Sequence, residues 1–447
     1  MFIIIIMKLY IWLISVTFLQ FAIFTGLWYY YWLHPMFKCP CLKYQQSFPI
    51  AKSSAMLINI NLFLLLMSRI KFWKRYIYLS YFIIENLHKY FVTSFTIWCL
   101  VHSISHYINF IKVNNFVQLF DWGVGLTGNL IIILLILLVS FSLFKNIKET
   151  NYSVYIFLHY LITFCILTLS IIHGTFCTIK YTDINCPIPT TWMWLMLPCS
   201  VILCEIIYKY IFNTVIIEKV IYHNNILELQ LPLPNNYCGK TIYINCMSIN
   251  LFEWHPYTVH NINYYNNTCS IHIKIRGDWT KKLYNKLKGD TSSIKLLVDG
   301  PYYCLPKNFI NHITTNNSLL ISSGIAITNF AFTLKQLSKN PGLIKSKITI
   351  IIIVKSVDDI SWLLDTFMSL SQYIEFVFYF TENPQNYFPF RYNLGRPKFN
   401  NIFDYLILQN RFITKNKIKV YYSGIQGIVK QIDKAQQKND IFEYHLL

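Results

Sequence analysis

Residues 88–102, HKYFVTSFTIWCLVH, and residues 159–173, HYLITFCILTLSIIH, decide the fold of this chain. Both segments are largely apolar, and each begins and ends with a histidine at a spacing of 14 residues. On an α-helix this spacing leaves two side chains roughly 40° apart in azimuth and about 21 Å apart along the axis. Because an ionisable side chain in a membrane helix is costly, it indicates a functional site. Two such helices side by side would present facing imidazoles at two depths, which suits two stacked bis-histidine haems.

The pairing places His88 opposite His159 near the inner membrane face. It places His102 opposite His173 near the outer face. His106 competes with His102, because 18 residues from His88 also return to the same helix face. Its axial distance from His88 would be about 27 Å, which does not match the 21 Å of the other helix. His102 is therefore favoured as the ligand, with His106 above the outer haem. The alternative is that these histidines are buried polar residues that bond across helices, but the equal spacing favours haem.

The composition of the 447-residue chain also indicates a membrane protein. It is 54% hydrophobic and only 13% charged, whereas soluble proteins have about 25% charged residues. Six apolar spans of membrane-crossing length are predicted before about residue 213. These spans are residues 9–33, 53–69, 88–112, 123–144, 153–174 and 191–213. With the N-terminus in the cytoplasm, the third and fifth spans run parallel and the C-terminal region is cytoplasmic.

The net charge of +19 does not indicate nucleic-acid binding, because the basic residues are spread along the chain. Many flank apolar spans, as expected of cytoplasmic loops. Examples are Lys71, Lys74, Arg75, Lys89, Lys145 and Lys148. The twelve cysteines form no paired C-x-x-C motifs and predict no zinc site. Cys177 and Cys186 share one extramembrane loop, and a disulfide between them stays open.

Beyond residue 213 the sequence is typical of soluble domains. Strand-like runs separated by turn residues predict a small antiparallel barrel over residues 214–310. They are 214–221, 225–231, 241–246, 271–276 and 294–299, and a further strand is expected to end at Trp254–Thr258. From 311 to 447, strand-like and helix-like stretches alternate, which predicts a parallel βαβ sheet. The predicted domains are thus 1–213, 214–310 and 311–447.

Several motifs occur in the same order as in one known family. They are WYY at 28–30, GVGLTG at 123–128, TWMW at 191–194 with CE at 204–205, WHPYT at 254–258 and GDWT at 277–280. Over nearly its whole length the chain resembles the catalytic subunit of NADPH oxidases, within the ferric-reductase-like transmembrane superfamily. The resemblance implies a membrane all-α bundle of six helices that binds haem. It further implies a ferredoxin-reductase-like β-barrel domain for FAD and an α/β parallel-sheet domain for NADPH.

The resemblance also assigns roles in the membrane region. The family's ligands for two haems b fall on the four histidines that the spacing argument selected. Lys52 stands where the family has an arginine beside the outer haem, and His106 matches the family's nearby histidine. A cation there would stabilise the negative charge that develops as O₂ becomes superoxide. The alternative for Lys52 is a lysine that extends to the membrane interface.

In the soluble region the resemblance assigns a flavin site and a dinucleotide site. The flavin residues are His255, Pro256, Tyr257, Thr258, Trp279 and Thr280, with Lys274 in place of an arginine that pairs with the pyrophosphate. The family's turn G-x-G-I-G-V-T-P-F reads SSGIAITNF at 322–330, which keeps Gly324 and Thr328 but replaces two glycines. Lys355 matches the residue that pairs with the 2′-phosphate. Ser423-Gly424 match the family's C-G-P without its cysteine.

The favoured hypothesis is a transmembrane enzyme that passes electrons from NADPH, through FAD and two haems b, to O₂ on the far side, giving superoxide. One alternative is a ferric-chelate reductase with the same electron path. Another is a catalytically impaired haem membrane subunit, which the altered dinucleotide turn motivates. The family makes the plasma membrane the expected location. Some members depend on a small membrane subunit or on cytosolic activators, and partners of that kind stay open here.

Overall fold

The computed structural model describes most of the chain in two compact units. The described residues are 2–33, 47–71, 81–112, 114, 116–144, 150–176, 191–263, 266–289, 294–306, 308–411, 418–436 and 442–446. One unit consists of residues 4–73 and 81–208, and the other consists mainly of residues 209–447. Lys74, Arg75, Lys145, Lys148, Cys177 and Cys186 lie outside the described residues, so the loop charges and the disulfide stay predictions.

The first unit is helical, and each predicted apolar span matches one of its helices, with two spans extending one residue past a helix end. The helices are α1 Phe2–Leu33, α2 Ser47–Arg69, α3 Tyr81–Lys112, α4 Val124–Leu143, α5 Tyr152–Thr175 and α6 Thr191–Phe212. Within the described residues, five of them are long and apolar enough to cross a membrane; α3 is not among them. The histidines and other polar residues of α3 lower its hydropathy. This unit is therefore an integral membrane region, although the count of six spans is not established.

Buried polar side chains join the first three helices. Gln20 in α1 accepts hydrogen bonds from Ser94 and from Trp98 Nε1 at 2.8 and 2.9 Å. Its amide nitrogen donates to Asn61 Oδ1 in α2 at 3.2 Å. These four side chains thus pair with one another in the apolar interior, which offsets the cost of burying them. Leu66, Phe95, Leu135 and Ile166 belong to one apolar cluster that joins α2, α3, α4 and α5.

The second unit begins with a seven-stranded antiparallel sheet. Its strands are β1 Thr214–Ile216, β2 Lys219–His223, β3 Ile226–Leu231, β4 Lys240–Asn245, β5 His255–Asn263, β6 Thr268–Lys274 and β7 Lys295–Tyr303. Their order is β1-β7-β4-β5-β6-β3-β2. The expectation that a strand ends at 254–258 was wrong, because β5 starts at His255. Its Pro and Asn residues look like turn signals, but cross-strand pairing on both sides overrides that local preference.

Alternation along the strands of this sheet builds its core. In β3, Leu227, Leu229 and Leu231 are fully buried at every second position. Helix α7, Asp278–Gly289, covers them with Trp279, Leu283 and Leu287, which recur at helical spacing.

A six-stranded parallel sheet follows. Its strands are β8 Ser318–Ser323, β9 Ile348–Val354, β10 Glu375–Phe380, β11 Tyr392–Leu394, β12 Ile418–Ser423 and β13 Phe442–Leu446, in the order β11-β10-β9-β8-β12-β13. The helices of this region are α8 Phe309–Thr315, α9 Thr328–Lys339, α10 Leu364–Leu370, α11 Phe399–Arg411 and α12 Gln426–Gln436. In β9, Ile350 and Ile352 pack in one cluster with α9 and α10, while Ile351 and Ile353 pack in another with α11 and α12.

The strand order brings three strand ends to one edge of the parallel sheet. β8 lies between β9 and β12, and all three run in the same direction. Their carboxyl ends are Ser323, Val354 and Ser423. In open α/β sheets ligands bind outside these carboxyl ends. The fold therefore gathers the predicted turn at 322–330, Lys355 and Ser423-Gly424 at one edge.

Candidate functional site

Two of the predicted ligand histidines lie side by side in the membrane unit. His102 in α3 and His173 in α5 have ring centres 6.2 Å apart. Two imidazoles on opposite sides of one metal, each with a metal–nitrogen distance of about 2 Å, have ring centres about 6 Å apart. The spacing thus fits the two axial ligands of one haem iron.

Hydrogen bonds fix the orientation of both rings. His102 Nδ1 lies 2.9 Å from the carbonyl oxygen of Ala51, so it carries the proton and donates. His173 Nδ1 lies 2.9 Å from Thr127 Oγ1. Because Thr127 Oγ1 donates its own proton to the Gly123 carbonyl at 2.6 Å, it accepts from His173. In both rings Nε2 is left with a lone pair, which is the arrangement that outer partners impose on metal-binding histidines. The residues present therefore fit a haem.

The GVGLTG motif at 123–128 contributes to this packing. Thr127 supplies the hydrogen bond to His173, and a Cβ added to Gly128 would lie 3.3 Å from Cε1 of the same ring. A larger residue at 128 would press on the imidazole. The motif's role in orienting His173 was not predicted, although the motif itself was visible in the sequence.

Lys52 and His106 both lie next to the ring of Phe48. Lys52 Nζ is 5.5 Å from the centre of the Phe48 ring. The His106 ring centre is 6.4 Å from that of Phe48 and 4.6 Å from that of His102. Among the described residues, the buried Nδ1 of His106 has no hydrogen-bond partner. The structure therefore brings the two predicted oxygen-site residues together beside the outer histidine pair.

The other two predicted ligands, His88 and His159, lie in the same two helices. α3 is continuous from His88 to His102, and α5 is continuous from His159 to His173. Helical rise therefore places His88 about 21 Å along α3 from His102, and His159 about 21 Å along α5 from His173. The His159 ring also contacts Tyr155, with centres 5.8 Å apart. The pairing of His88 with His159 stays a prediction.

The predicted flavin residues lie on β5 and at the start of α7. The His255 ring packs against Trp279, with centres 4.2 Å apart, and His255 Nε2 is 3.0 Å from Glu253 Oε1. Pro256 and Tyr257 follow in β5, and burial raises the pKa of the Tyr257 phenol. Trp279 is itself buried in the core of the antiparallel sheet.

Thr280 forms hydrogen bonds with the backbone of the turn that precedes it. Its Oγ1 accepts hydrogen bonds from the backbone nitrogens of Arg276 and Gly277 at 3.0 and 3.1 Å. It donates to the Gly277 carbonyl at 2.8 Å. These bonds fix the turn that begins α7, so in this structure Thr280 shapes the loop beside the predicted flavin residues.

Lys274, predicted to bind the flavin pyrophosphate, is held by a carboxylate of the protein. Its Nζ lies 2.7 and 2.8 Å from the two carboxylate oxygens of Asp359. The Lys274 side chain is 25% exposed, while that of Asp359 is 6% exposed. Sequence reasoning missed Asp359, because nothing along the chain links β6 to a short 3₁₀ turn 85 residues later.

The dinucleotide turn keeps a glycine where the backbone needs one. Gly324 has φ of +60°, and a Cβ added there would meet no atom within 4 Å. Left-handed backbone of this kind favours glycine. At the end of β8, the buried Oγ of Ser322 has no hydrogen-bond partner among the described residues. Thr328 begins α9 and donates to the Ile325 carbonyl at 2.9 Å. An open turn at Gly324 followed by a helix start fits a phosphate group.

A chain of hydrogen bonds connects the predicted flavin and nicotinamide residues. Thr258 Oγ1 on β5 donates to Asn329 Oδ1 in α9. Asn329 Nδ2 in turn donates to Ser423 Oγ at the end of β12, at 2.7 Å. Next to Ser423, a Cβ on Gly424 would lie 2.0 Å from Ser323 Oγ, so the close approach of the two strand ends requires glycine. Asn329 stands where the family motif has proline, and this bridging role was not predicted.

Lys355 lies just past the end of β9, as predicted. Its Nζ is 3.0 Å from Glu382 Oε1, and both side chains are more than half exposed, at 57% and 58%. Exposed ion pairs of this kind are weak. The lysine can therefore exchange its partner for a phosphate.

Several known proteins are similar to this chain. Residues 211–304 match the FAD-binding domain family. A superoxide-generating NADPH oxidase heavy chain of Dictyostelium discoideum is 27% identical, over 88% of this chain and 66% of that protein. NADPH oxidase 3 of Rattus norvegicus is 28% identical, over 55% of this chain and 50% of that protein. The chain thus covers between half and two thirds of the length of these relatives. Among solved structures, the ferredoxin reductase in carbazole 1,9a-dioxygenase is similar, with 14% identity, a TM-score of 0.38 and coverage of 52% and 68%.

Proposed function

We propose that this chain, a relative of the NADPH oxidases, carries electrons from NADPH across a membrane to O₂ and produces superoxide on the far side. The observation that carries the proposal is the outer site, where His102 and His173 are oriented by hydrogen bonds with Lys52 and His106 beside them. The match to an FAD-binding domain at 211–304 supplies the other end of the path.

The membrane arrangement follows from the ligand assignment. α3 would cross the membrane together with the five more apolar helices, which gives six spans, because His88 and His102 require it to cross beside α5. Both termini would then be cytoplasmic, and the plasma membrane is the expected location. When bound, FAD accepts a hydride from NADPH and the two haems b relay single electrons. Regulation by a small membrane subunit or by cytosolic activators belongs to the same proposal.

At the outer face, Lys52 and His106 would act on oxygen. The Lys52 ammonium supplies positive charge where negative charge develops, and a preformed charge in an apolar site is effective because little water screens it. His106 presents a buried ring nitrogen without a protein partner among the described residues, so it can form a hydrogen bond with a small oxygen ligand. Both residues would stabilise the reduced product and leave the iron ligands unchanged.

On the inner side, the chain's residues would hold and align the two nucleotides. The Thr258–Asn329–Ser423 hydrogen bonds fix β5 against the parallel sheet. Lys274 would exchange Asp359 for the flavin pyrophosphate. Lys355 would exchange Glu382 for the 2′-phosphate of NADPH.

An anaerobic absorbance spectrum tests the proposal. Purified full-length protein with haem and FAD is recorded alone, after NADPH and after dithionite. We expect the haem bands to reduce with NADPH, and superoxide to form when air is admitted. If ferric citrate but not air re-oxidises the reduced haems, the electron acceptor is a ferric chelate and the protein is a ferric-chelate reductase.

A second candidate is a catalytically impaired haem subunit. Three features favour it. Position 322 is a serine, the Ser423-Gly424 segment lacks the family's cysteine, and Lys274 forms an ion pair with Asp359. Haem bands that reduce only with dithionite would exclude an oxidase that works on its own, and would leave this candidate and an oxidase that requires a partner protein.

A further inference from the structure

Four ionisable side chains cluster on one face of the antiparallel sheet, on strands that include those of the predicted flavin residues. His223 ends β2, Glu228 lies in β3 and His272 lies in β6, and these strands are neighbours in the order β6-β3-β2. Glu228 is directly opposite His272 in the strand register. His223 pairs with Ile226, which puts it diagonally across from Glu228. The fourth member, His260, comes from β5.

Three donor atoms of this cluster converge on one point. The Nε2 atoms of His223 and His272 lie 3.5 and 3.6 Å from Glu228 Oε2, and all three atoms are within 4.8 Å of one another. Two ligands about 2.1 Å from one tetrahedral zinc ion lie about 3.4 Å apart. Both distances to Glu228 therefore match a pair of metal ligands. The two imidazole nitrogens lie within 4.8 Å of each other, and His223 directly precedes a turn, where its side chain can adjust.

Hydrogen bonding does not account for the convergence. The Nε2 atoms of His223 and His272 are both buried without a hydrogen-bond partner among the described residues. Their distances to Glu228 exceed the range of about 2.7–3.2 Å that good N–H···O bonds show. The His272 side chain is only 1% exposed. A nearly fully buried ring nitrogen without a hydrogen bond, aimed at a carboxylate, is costly unless a further group completes the site.

His260 holds His272 in the required tautomer. His260 Nε2 is in hydrogen-bond contact with His272 Nδ1, and the two rings stack with centres 4.3 Å apart. With its Nε2 unprotonated, His260 can accept a hydrogen bond from the Nδ1–H of His272. His272 Nε2 is then left with a lone pair for a metal. A neighbouring group that orients the ligand in this way is usual for metal-binding histidines.

We propose that His223, Glu228 and His272 bind a divalent metal ion of the zinc class, oriented by His260. Two histidines and one carboxylate leave a fourth tetrahedral position for water. The His223 side chain, 34% exposed, provides the way in from solvent. The ion joins β2, β3 and β6. It also fixes His272 beneath Trp362, whose ring centre lies 4.1 Å away.

Equilibrium dialysis of the full-length, haem-loaded protein against zinc chloride tests the proposal. Bound zinc is counted by mass spectrometry in the presence of a competing chelator. Glu228→Gln and His223→Gln each remove one ligand while keeping a polar side chain of similar size. His312→Gln is the matched control, since His312 lies in the same unit but outside the cluster. We expect the wild type and the control to bind one more zinc ion than either ligand variant. Affinity at this site should fall at least about 100-fold, which exceeds the 10- to 100-fold loss that removal of an orienting partner causes.

Equal zinc content and affinity in the wild type and both ligand variants would overturn the proposal. The partly exposed His223 keeps the test decisive even if the buried variant Glu228→Gln loses its fold. Thermal unfolding gives an independent measure, because a ligand that binds only the folded state raises Tm. Zinc should raise Tm in the wild type and the control, and not in His223→Gln. A Tm rise of the same size in His223→Gln would also count against the site.

Discussion

The outer histidine pair in the membrane unit and the basic residues of the second unit differ in whether their hydrogen-bonding atoms are left available for a ligand. His102 and His173 each use Nδ1 to bond a neighbouring helix and leave Nε2 available. Lys274 and Lys355 instead have their charged atoms engaged by Asp359 and Glu382. The first site is preorganised for a ligand, whereas the second requires an exchange of partners. Loss of His102 or His173 should therefore abolish superoxide production. Loss of the competing carboxylate of Asp359 or Glu382 should instead improve the binding of FAD or NADPH.

The largest effect is expected at the histidine pair. His102→Leu or His173→Leu removes one of two axial ligands, and a buried leucine cannot replace it. We expect each variant to bind about half the haem of the wild type and to lose NADPH-driven superoxide production. Haem is measured by the pyridine haemochrome assay and superoxide by cytochrome c reduction.

His106→Leu is the matched control for haem content. It removes a histidine one turn away in the same helix, and both haems should remain. Wild-type haem in His102→Leu and His173→Leu would contradict the ligand assignment. Haem loss in His106→Leu alone would transfer the role of outer ligand from His102 to His106.

A smaller effect is expected from the charge beside that pair. Lys52→Ala removes the cation without touching a ligand, so haem reduction by NADPH should stay intact while superoxide output falls about 10-fold. Lys52→Arg keeps the charge and should retain most of the output. Stopped-flow spectra separate the reduction of haem from its re-oxidation by air. Slower haem reduction in Lys52→Ala would mean that Lys52 has no specific role at the oxygen site.

In the first region the sequence predicts which histidines can lie side by side, because helical periodicity converts spacing into geometry, and His102 and His173 do so in the structure. A 14-residue repeat in two segments selects four histidines by spacing alone. The partners that orient the outer pair were harder to predict. Ala51 contributes only a backbone carbonyl, which no side-chain pattern reveals. Thr127 was visible within a motif, but its bond to His173 depends on how α4 packs against α5.

In the second region the sequence predicts the sheets but not the competing contacts. The alternation of strands and helices after residue 311 is confirmed by β8 to β10 and β12, with α9 and α10. Asp359, Asn329 and the cluster around Glu228 were missed. Each depends on contacts between segments that are far apart in sequence, and no local preference encodes such contacts. The strand register, which puts Glu228 opposite His272, becomes visible only in the folded sheet.

Release of Lys274 should strengthen flavin binding. Asp359→Asn removes the competing negative charge but keeps an oxygen that can accept from the Lys355 backbone nitrogen, as Asp359 does at 3.2 Å. We expect FAD to bind about three- to ten-fold more tightly, because charge-assisted hydrogen bonds contribute about 1.5–3 kcal/mol and only part of this is recovered. Lys274→Ala should weaken FAD binding. Fluorescence titration of flavin-depleted protein measures both. Weaker binding in Asp359→Asn would show that the ion pair supports the site and does not compete with the flavin.

The smallest effect is expected at Lys355, where the ion pair with Glu382 is exposed. Such pairs contribute roughly 0.2–1 kcal/mol, so removing the competitor changes affinity at most about five-fold. Glu382→Gln should therefore lower KM for NADPH about two- to five-fold at unchanged kcat. NADH is the matched control, because it lacks the 2′-phosphate and should show the same KM in both proteins. An equal change with NADH and NADPH would mean that Glu382 acts on a part of the dinucleotide that the two share. Lys355 would then not be the residue that recognises the 2′-phosphate.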